Sequence, residues 1–375
     1  MKIAGIICEY NPLHRGHEYQ LQKTRQQTGA DVIVCAMSGA CVQRGDIAII
    51  DKWTRAKMAL SCGADVVFEL PALFAVRPAR DFAMGGVSLL SAAGAHAISF
   101  GSEISDISLL KAAAAVDMDE NFHVKEALRK GFSYPRAAQE AYKDLGISPD
   151  LADMPNMILG VEYIRAIEKI APETQPVAIK RDRGDGLSAT LLRSLLIEGE
   201  KDAALAMLPP HIMPLLEGKN YNSFVNVQQA VLYSLRNAKR EELLNIPGVS
   251  EGLEVRIMKA ALSCATLNEL FADIKSKRYT MARIRRAVLS HMLGITGELC
   301  AKYPSAPYLR ILGFKKSALP YLAALRDFAT IPIINKFADA QMNECIEIDL
   351  AAQNLFDLGL GIPTGADFKT SPVIL

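Results

Sequence analysis

Short apolar runs and amphipathic stretches alternate through the first half of the chain. The apolar run Ile3 to Cys8 leads into an amphipathic helix from about His17 to Gln27. A strand Asp31 to Met37, a helix Asp51 to Cys62, a strand Asp65 to Leu70, a helix Asp81 to Ala93 and a strand His96 to Phe100 follow. Strands of five or six residues separated by helical patterns of ten or more mark β-α-β crossovers, so the pattern predicts an α/β fold built on a doubly wound parallel sheet. From about Ser105 to Ala171 the pattern is mainly helical, and a last candidate strand spans Pro176 to Lys180. Beyond roughly residue 200 the strand signal fades, with Pro209-Pro210 and Pro247-Gly248 as punctuation. The expected division is therefore a sheet domain over 1–200 and a second, mostly α-helical domain over 201–375.

Composition narrows the class. Half of the 375 residues are hydrophobic, 22% are charged, and the formal net charge is +1, so any nucleic-acid site must be local rather than a property of the whole surface. The seven cysteines form no C-x-x-C pair and several sit in apolar runs, which predicts reduced thiols. The histidines outside the first turn (His96, His123, His211 and His291) are far from one another and from any cysteine pair, so no zinc spacing is present and no metal site is expected. The stretch Phe82 to Ser102 lacks any charge, but Gly85-Gly86, Gly94 and four serines divide it into a helix and a strand rather than a membrane span. The N-terminal run is too short for a signal peptide, and a soluble cytoplasmic protein with no membrane partner is the expectation.

The chemistry concentrates where strands end. Asn11-Pro12 stops the first strand, and His14-Arg15-Gly16-His17 opens the next helix, where unpaired N–H groups attract anions and two histidines three residues apart can donate to phosphoryl oxygens. Gly16 is expected to let the backbone approach a ligand. On the same edge lie Arg44 in the loop Ser38 to Asp46, able to reach a phosphate or to hold its loop by an ion pair, and Gly101, small enough for an adenine or ribose to pass. Arg181 ends the last strand with a planar donor fork. Gly184 to Arg193 reads as a second phosphate platform, with Ser188 as helix N-cap, or as an ordinary capped helix. Glu69, inside an apolar strand, needs a cation, with Arg55 and Lys57 the candidates. Farther on, Lys275, Lys277, Arg278, Arg283, Arg285 and Arg286 crowd into twelve residues without an acid, with Tyr279 placed to stack on a base. This block reads as a local RNA or phosphate patch, or as a solvated helix face with acidic partners elsewhere. No nucleophile elbow and no Walker loop is present.

His-x-Gly-His after an N-terminal strand resembles the signature of the HIGH-motif nucleotidyltransferase superfamily, which implies a Rossmann-like domain. Val42-Gln43-Arg44-Gly45, Phe68-Glu69-Leu70-Pro71, Phe100-Gly101-Ser102-Glu103, Asn156 to Gly160, Ile179-Lys180-Arg181, Leu187 to Thr190, Glu251 to Glu254 and Arg310 to Phe314 extend the likeness over nearly the whole chain. In that order they resemble the bacterial tRNA(Met) cytidine acetate ligase family. The resemblance implies an enzyme that activates acetate with ATP as acetyl-adenylate and passes the acetyl group to N4 of the wobble cytidine of elongator tRNA(Met). It maps ATP contacts onto Ile7, Cys8, Glu9, Tyr10, Asn11, Pro12, Leu13, His14, Arg15, Gly16, His17, Glu18, Tyr19 and Gln20, and onto Gly101, Asn156 and Arg181. Physical reasoning then gives His14, His17 and Arg181 the role of preorganised donors to developing charge, Ser188 and Arg193 the β- and γ-phosphates, and Mg2+ a place on the pyrophosphate. Arg15, Ala40 and Cys41 depart from the family pattern, the first two near the expected mouth of the site. A small-molecule nucleotidyltransferase or ligase of the pantothenate synthetase-like type is the alternative enzyme, and an RNA-binding scaffold the non-enzymatic one.

Overall fold

In the computed structural model, residues 1–118, 120–132, 134–148, 154–181 and 188–375 are described. Gly184 to Leu187, the start of the expected second phosphate platform, lie outside them. Five parallel strands form the centre: β1 (Ile3–Cys8), β2 (Val32–Ser38), β3 (Val66–Leu70), β4 (Ala97–Ser102) and β5 (Gln175–Lys180). They stand in the order β3-β2-β1-β4-β5, so the chain winds outward on one side of β1 and then on the other. β2 and β3 are buried along their whole length, as the near-continuous apolar runs require of a sheet covered on both faces.

The two faces are separated by the period of two along each strand. Ile3, Ile7, Val34 and Ala36 pack with Val87 and Leu90 of α3 (Ala79–Ala92), whereas Ala4, Ile6, Ile33 and Cys35 pack with Leu21 of α1 (Arg15–Thr28) and Met58 of α2 (Lys52–Ser61). α3 lies close enough to β1 that a Cβ on Gly86 would stand 2.6 Å from Ile7, so glycine there sets the helix-to-sheet distance. The uncharged stretch Phe82 to Ser102 is thus most of α3 followed by β4. No helix of the described residues is long and apolar enough to cross a membrane.

The second half does more than add helices. α4 (Pro155–Ile170) and α5 (Ala189–Glu198) complete the first half, and α6 (Met281–Leu293) and α7 (Glu344–Leu360) belong to the helical part. A strand that the fading pattern did not announce, β6 (Leu309–Phe314), pairs antiparallel with β3, and two short strands, β7 (Ile333–Ile334) and β8 (Val373–Ile374), pair with β6. The reason is chemical. Arg310 breaks the apolar run of β6, and its guanidinium is buried against Glu69 and Asp367 at 2.8 and 2.7 Å. Glu69 also accepts from Lys52 Nζ at 2.8 Å, and Lys52 reaches Asp367 at 2.6 Å. Glu69 therefore has Lys52 and Arg310 as partners, not Arg55 or Lys57. Arg55 is instead spent on carbonyls, holding Glu9, Ser38, Gly39 and Ile50 together behind the carboxyl edge of the sheet.

Candidate nucleotide site

The strand order reverses between β1 and β4, and a cleft of about 2110 Å³ opens over the carboxyl ends of those strands. The β1–α1 loop forms its floor, with Tyr10 held at φ +44°, in the left-handed region. The loop is fastened from three sides. Tyr10 is buried against Cys35, Asn11 Oδ1 accepts from Ile49 N at 2.7 Å, and Arg193 donates to the Asn11 carbonyl at 2.9 Å.

His14 is the N-cap of α1, and its Nδ1 accepts from Gly16 N at 3.1 Å. His17 Nδ1 accepts from His14 N at 3.3 Å, and the rings stack with centroids 3.8 Å apart. A ring nitrogen that accepts from a backbone N–H carries no proton, so both neutral imidazoles hold theirs on Nε2. Burial, then the charge of Arg181, lowers His14 to about 4; burial, His14 and Arg181 hold His17 well below the ordinary imidazole value. At neutral pH the site therefore presents two uncharged Nε2–H donors, not imidazolium. Gly16 also has a role inside the protein. A Cβ there would stand 2.9 Å from His14 Cε1, so the glycine makes room for the His14 ring over its own helix end.

Arg181 follows β5, its N–H donating to the Ser102 carbonyl at 3.0 Å, and its side chain runs over Gly101. A Cβ at Gly101 would meet Arg181 and Gln20 only at 3.5 to 3.8 Å, and no left-handed φ demands glycine there. Among the described residues, a Cβ at Gly101 would make only ordinary van der Waals contacts. Asn156, in the first turn of α4, lines the cleft and donates to Glu103 at 2.7 Å. Ser188 caps α5 by accepting from Leu191 N, and Arg193 ties the loop from that helix.

Of the segment Ile7 to Gln20, all but Pro12, Leu13 and Glu18 line the cleft; Leu13 is in the core, and Glu18 faces the other side of α1. Arg15 lies at the rim and donates to the Leu208 carbonyl. Ala40 and Cys41 are buried, Ala40 just before and Cys41 within a hairpin (Cys41–Val42 with Asp46–Ile47), and neither lines the cleft, so Ala40 does not stand at its mouth. Arg44 is exposed at the rim, and Asp46 is paired with Arg285 rather than with Arg44.

The basic block divides. Arg278, Arg283, Arg285 and Arg286 line the cleft, whereas Lys275 and Lys277 are exposed outside it. Arg278 precedes α6, so helical spacing does not bring it to Arg285. Arg283 bonds Gly248, Ser250 and Glu251, Arg285 bonds Asp46, and Arg286 reaches the Gln43 carbonyl at 3.4 Å. Tyr279 cannot stack on a base: it is buried, donates to the Glu251 carbonyl, and has Arg256 and Arg283 over its ring. What sequence reasoning missed is the destination of α6. Gly45, at φ +76°, lets the hairpin touch the α6 backbone, where a Cβ would stand 2.4 Å from Arg286 N. Through this contact the helical half supplies one wall of the nucleotide cleft. Among the described residues, twelve arginines and two lysines line it against five acids, a local positive field in a nearly neutral chain. Four of those acids, Glu9, Asp46, Asp81 and Glu162, accept from Gln43 N, Arg285, Arg77 and Arg165, so the described residues offer Mg2+ no dedicated cage and no step is assigned to it.

A histidine pair capping the first helix at the switch point of a wound sheet defines a nucleotide-handling α/β protein. The chain belongs to the HIGH nucleotidyl transferase family, whose model matches residues 1–366. Within it the chain belongs with the tRNA(Met) cytidine acetate ligases: it is 32% identical to that of Clostridium perfringens, over the whole of both chains, and 36% identical to that of Listeria welshimeri, over 100% of this chain and 99% of the relative. Among solved structures, Thermotoga maritima TmcAL bound with alpha-thio ATP matches with a TM-score of 0.92 at 32% identity, and its apo form with 0.91 at 31%, each over the full length of both chains.

Proposed function

We propose that this protein is an ATP-dependent tRNA(Met) cytidine acetate ligase acting in the cytoplasm. An acetate oxygen attacks the α-phosphorus of ATP, pyrophosphate leaves, and the N4 amine of the wobble cytidine of elongator tRNA(Met) then attacks the acetyl carbon, releasing AMP. The observation that carries the reading is the stacked His14–His17 pair, with each Nδ1 committed to a backbone N–H and each Nε2–H left for the cleft. Charge grows on the phosphoryl oxygens as acetate attacks, and fixed neutral donors beside the permanent charge of Arg181 stabilise it without transferring a proton. Gly101 and Asn156 face the nucleoside, and Ser188 and Arg193 the outer phosphates, with Mg2+ on the pyrophosphate. Residues 1–200 act as the ATP domain, its sheet extended by β6, β7 and β8, and the helical part of 201–375 as the tRNA-binding region, whose arginines 278, 283, 285 and 286 reach the same cleft, with Lys275 and Lys277 extending the RNA surface outside it. Small-ligand pockets hold about 300–1,000 Å³, so a cleft of about 2110 Å³ has room for ATP and a flipped nucleotide together. Incubation with labelled acetate, ATP and total tRNA, followed by nucleoside analysis, tests the proposal: label in N4-acetylcytidine supports it. ATP-pyrophosphate exchange driven by pantoate rather than acetate would mean a small-molecule ligase instead.

A further inference from the structure

On the side of α1 away from the cleft, three side chains from three separate elements converge. Glu18 comes from α1, Cys62 caps the C-terminus of α2, and His211 lies in the 3-10 turn Pro210–Leu216. His211 Nε2 stands 3.4 Å from Cys62 Sγ and 3.4 Å from Glu18 Oε1, and the three candidate ligand atoms lie within 4.8 Å of one another. We propose that Glu18, Cys62 and His211 form a zinc site, with water as the fourth ligand.

The distances leave room for a metal at the centre of the three side chains. With Zn–S of about 2.3 Å and Zn–N and Zn–O of about 2.0–2.1 Å, a tetrahedron has an N–S edge of about 3.5–3.6 Å and an N–O edge of about 3.3–3.4 Å, within about 0.2 Å of the Nε2 separations. Thiolate, imidazole and carboxylate together suit zinc, and neither Mg2+ nor Ca2+ would choose the sulfur. Access is built in: Cys62 is buried, whereas the His211 side chain is 47% exposed, leaving one side open for the ion and its water. On binding, the Zn–S bond forms as the Cys62 thiol proton leaves to solvent. Cys62 and His211 are 149 residues apart in sequence, so no spacing motif could announce them.

The ion would tie the 210–216 turn to α1 and α2. Arg15 already docks the adjacent segment onto the start of α1 through its backbone N–H to Met207 O and its Nε to Leu208 O, both at 3.2 Å. Zinc would therefore brace the histidine-bearing helix from behind, without entering the reaction.

The test titrates the metal-stripped, reduced protein with Co2+ and with Zn2+, alongside His211→Ala and Cys62→Ser. His211 is half exposed, so its variant folds whatever happens to Cys62. The expected result is one equivalent of tightly bound metal, a thiolate-to-cobalt charge-transfer band in the near ultraviolet, and a rise in Tm of a few degrees (about 4 °C at a hundredfold excess over Kd). Both variants should lose the band and the Tm rise. Absence of the band in the native chain, or an unchanged band and stoichiometry in His211→Ala, overturns the site.

Discussion

Protonating His14 should cost the fold stability in a way that can be separated from every other titration. The unfolded ring takes a proton near 6.5, and the folded one only near 4. Above pH 6.5 both states are neutral and the ring contributes no pH dependence. As pH falls below 6.5 the unfolded state binds a proton that the folded state refuses, so stability declines, by about 2 kcal/mol at pH 5 and by about 3 kcal/mol once pH passes the folded value. Buried acids titrate in the same window with the opposite sign: Asp349, raised to about 7 by burial and by Glu69, favours the folded state as pH falls. The assay is therefore a difference. Urea unfolding of the native chain and of His14→Gln, which cannot ionise, is measured at pH 7, 6, 5 and 4.5. The stability advantage of the native chain should shrink by about 2 kcal/mol between pH 7 and pH 5. An advantage that stays constant across that range refutes the neutral, buried His14 and with it the reading of the pair as uncharged donors.

Further expectations follow from other parts of the molecule. Glu69→Gln leaves Lys52 and Arg310 buried with Asp367 as their main counter-charge and should lower stability by about 3–5 kcal/mol, a Tm drop of about 5 °C by calorimetry; a loss below 1 kcal/mol contradicts the network. Gly101→Ala should leave Tm unchanged, because a Cβ there makes only ordinary contacts within the protein, and should raise KM for ATP about tenfold in acetate-driven pyrophosphate exchange. Arg278→Glu, at an exposed rim position, should spare that exchange, weaken tRNA binding and make the log–log salt dependence of affinity shallower by about one unit; equal tRNA affinity would remove the basic wall from recognition.

The parts of this structure legible in the sequence are those fixed by local pattern. The five parallel strands end within a residue or two of their apolar runs, and His14 and Ser188 sit at helix starts, where their capping chemistry places them. What was hidden depends on contacts between distant segments. β6 carries Arg310 in the middle of an otherwise apolar run, which reads as a break until Glu69 and Asp367 are seen to neutralise it. Residue type points to Arg55 as a partner of Glu69, but Arg55 serves four carbonyls instead. Tyr279 reads as a stacking residue because its neighbours are basic, yet one of them, Arg283, and the distant Arg256 cover its ring inside the helical core. Gly16 shows the same limit at the smallest scale: its need is set by the His14 ring, which no spacing rule reveals.

On the proposed function, the Nε2–H groups of His14 and His17, with Arg181, hold the phosphates at the switch point of the sheet. A crystal structure of this chain with a non-hydrolysable ATP analogue tests it most directly. Both Nε2 atoms should lie about 2.7–3.2 Å from phosphate oxygens, with the Arg181 guanidinium on the same triphosphate. Phosphates bound elsewhere in the cleft, with both rings facing away from them, would contradict the account.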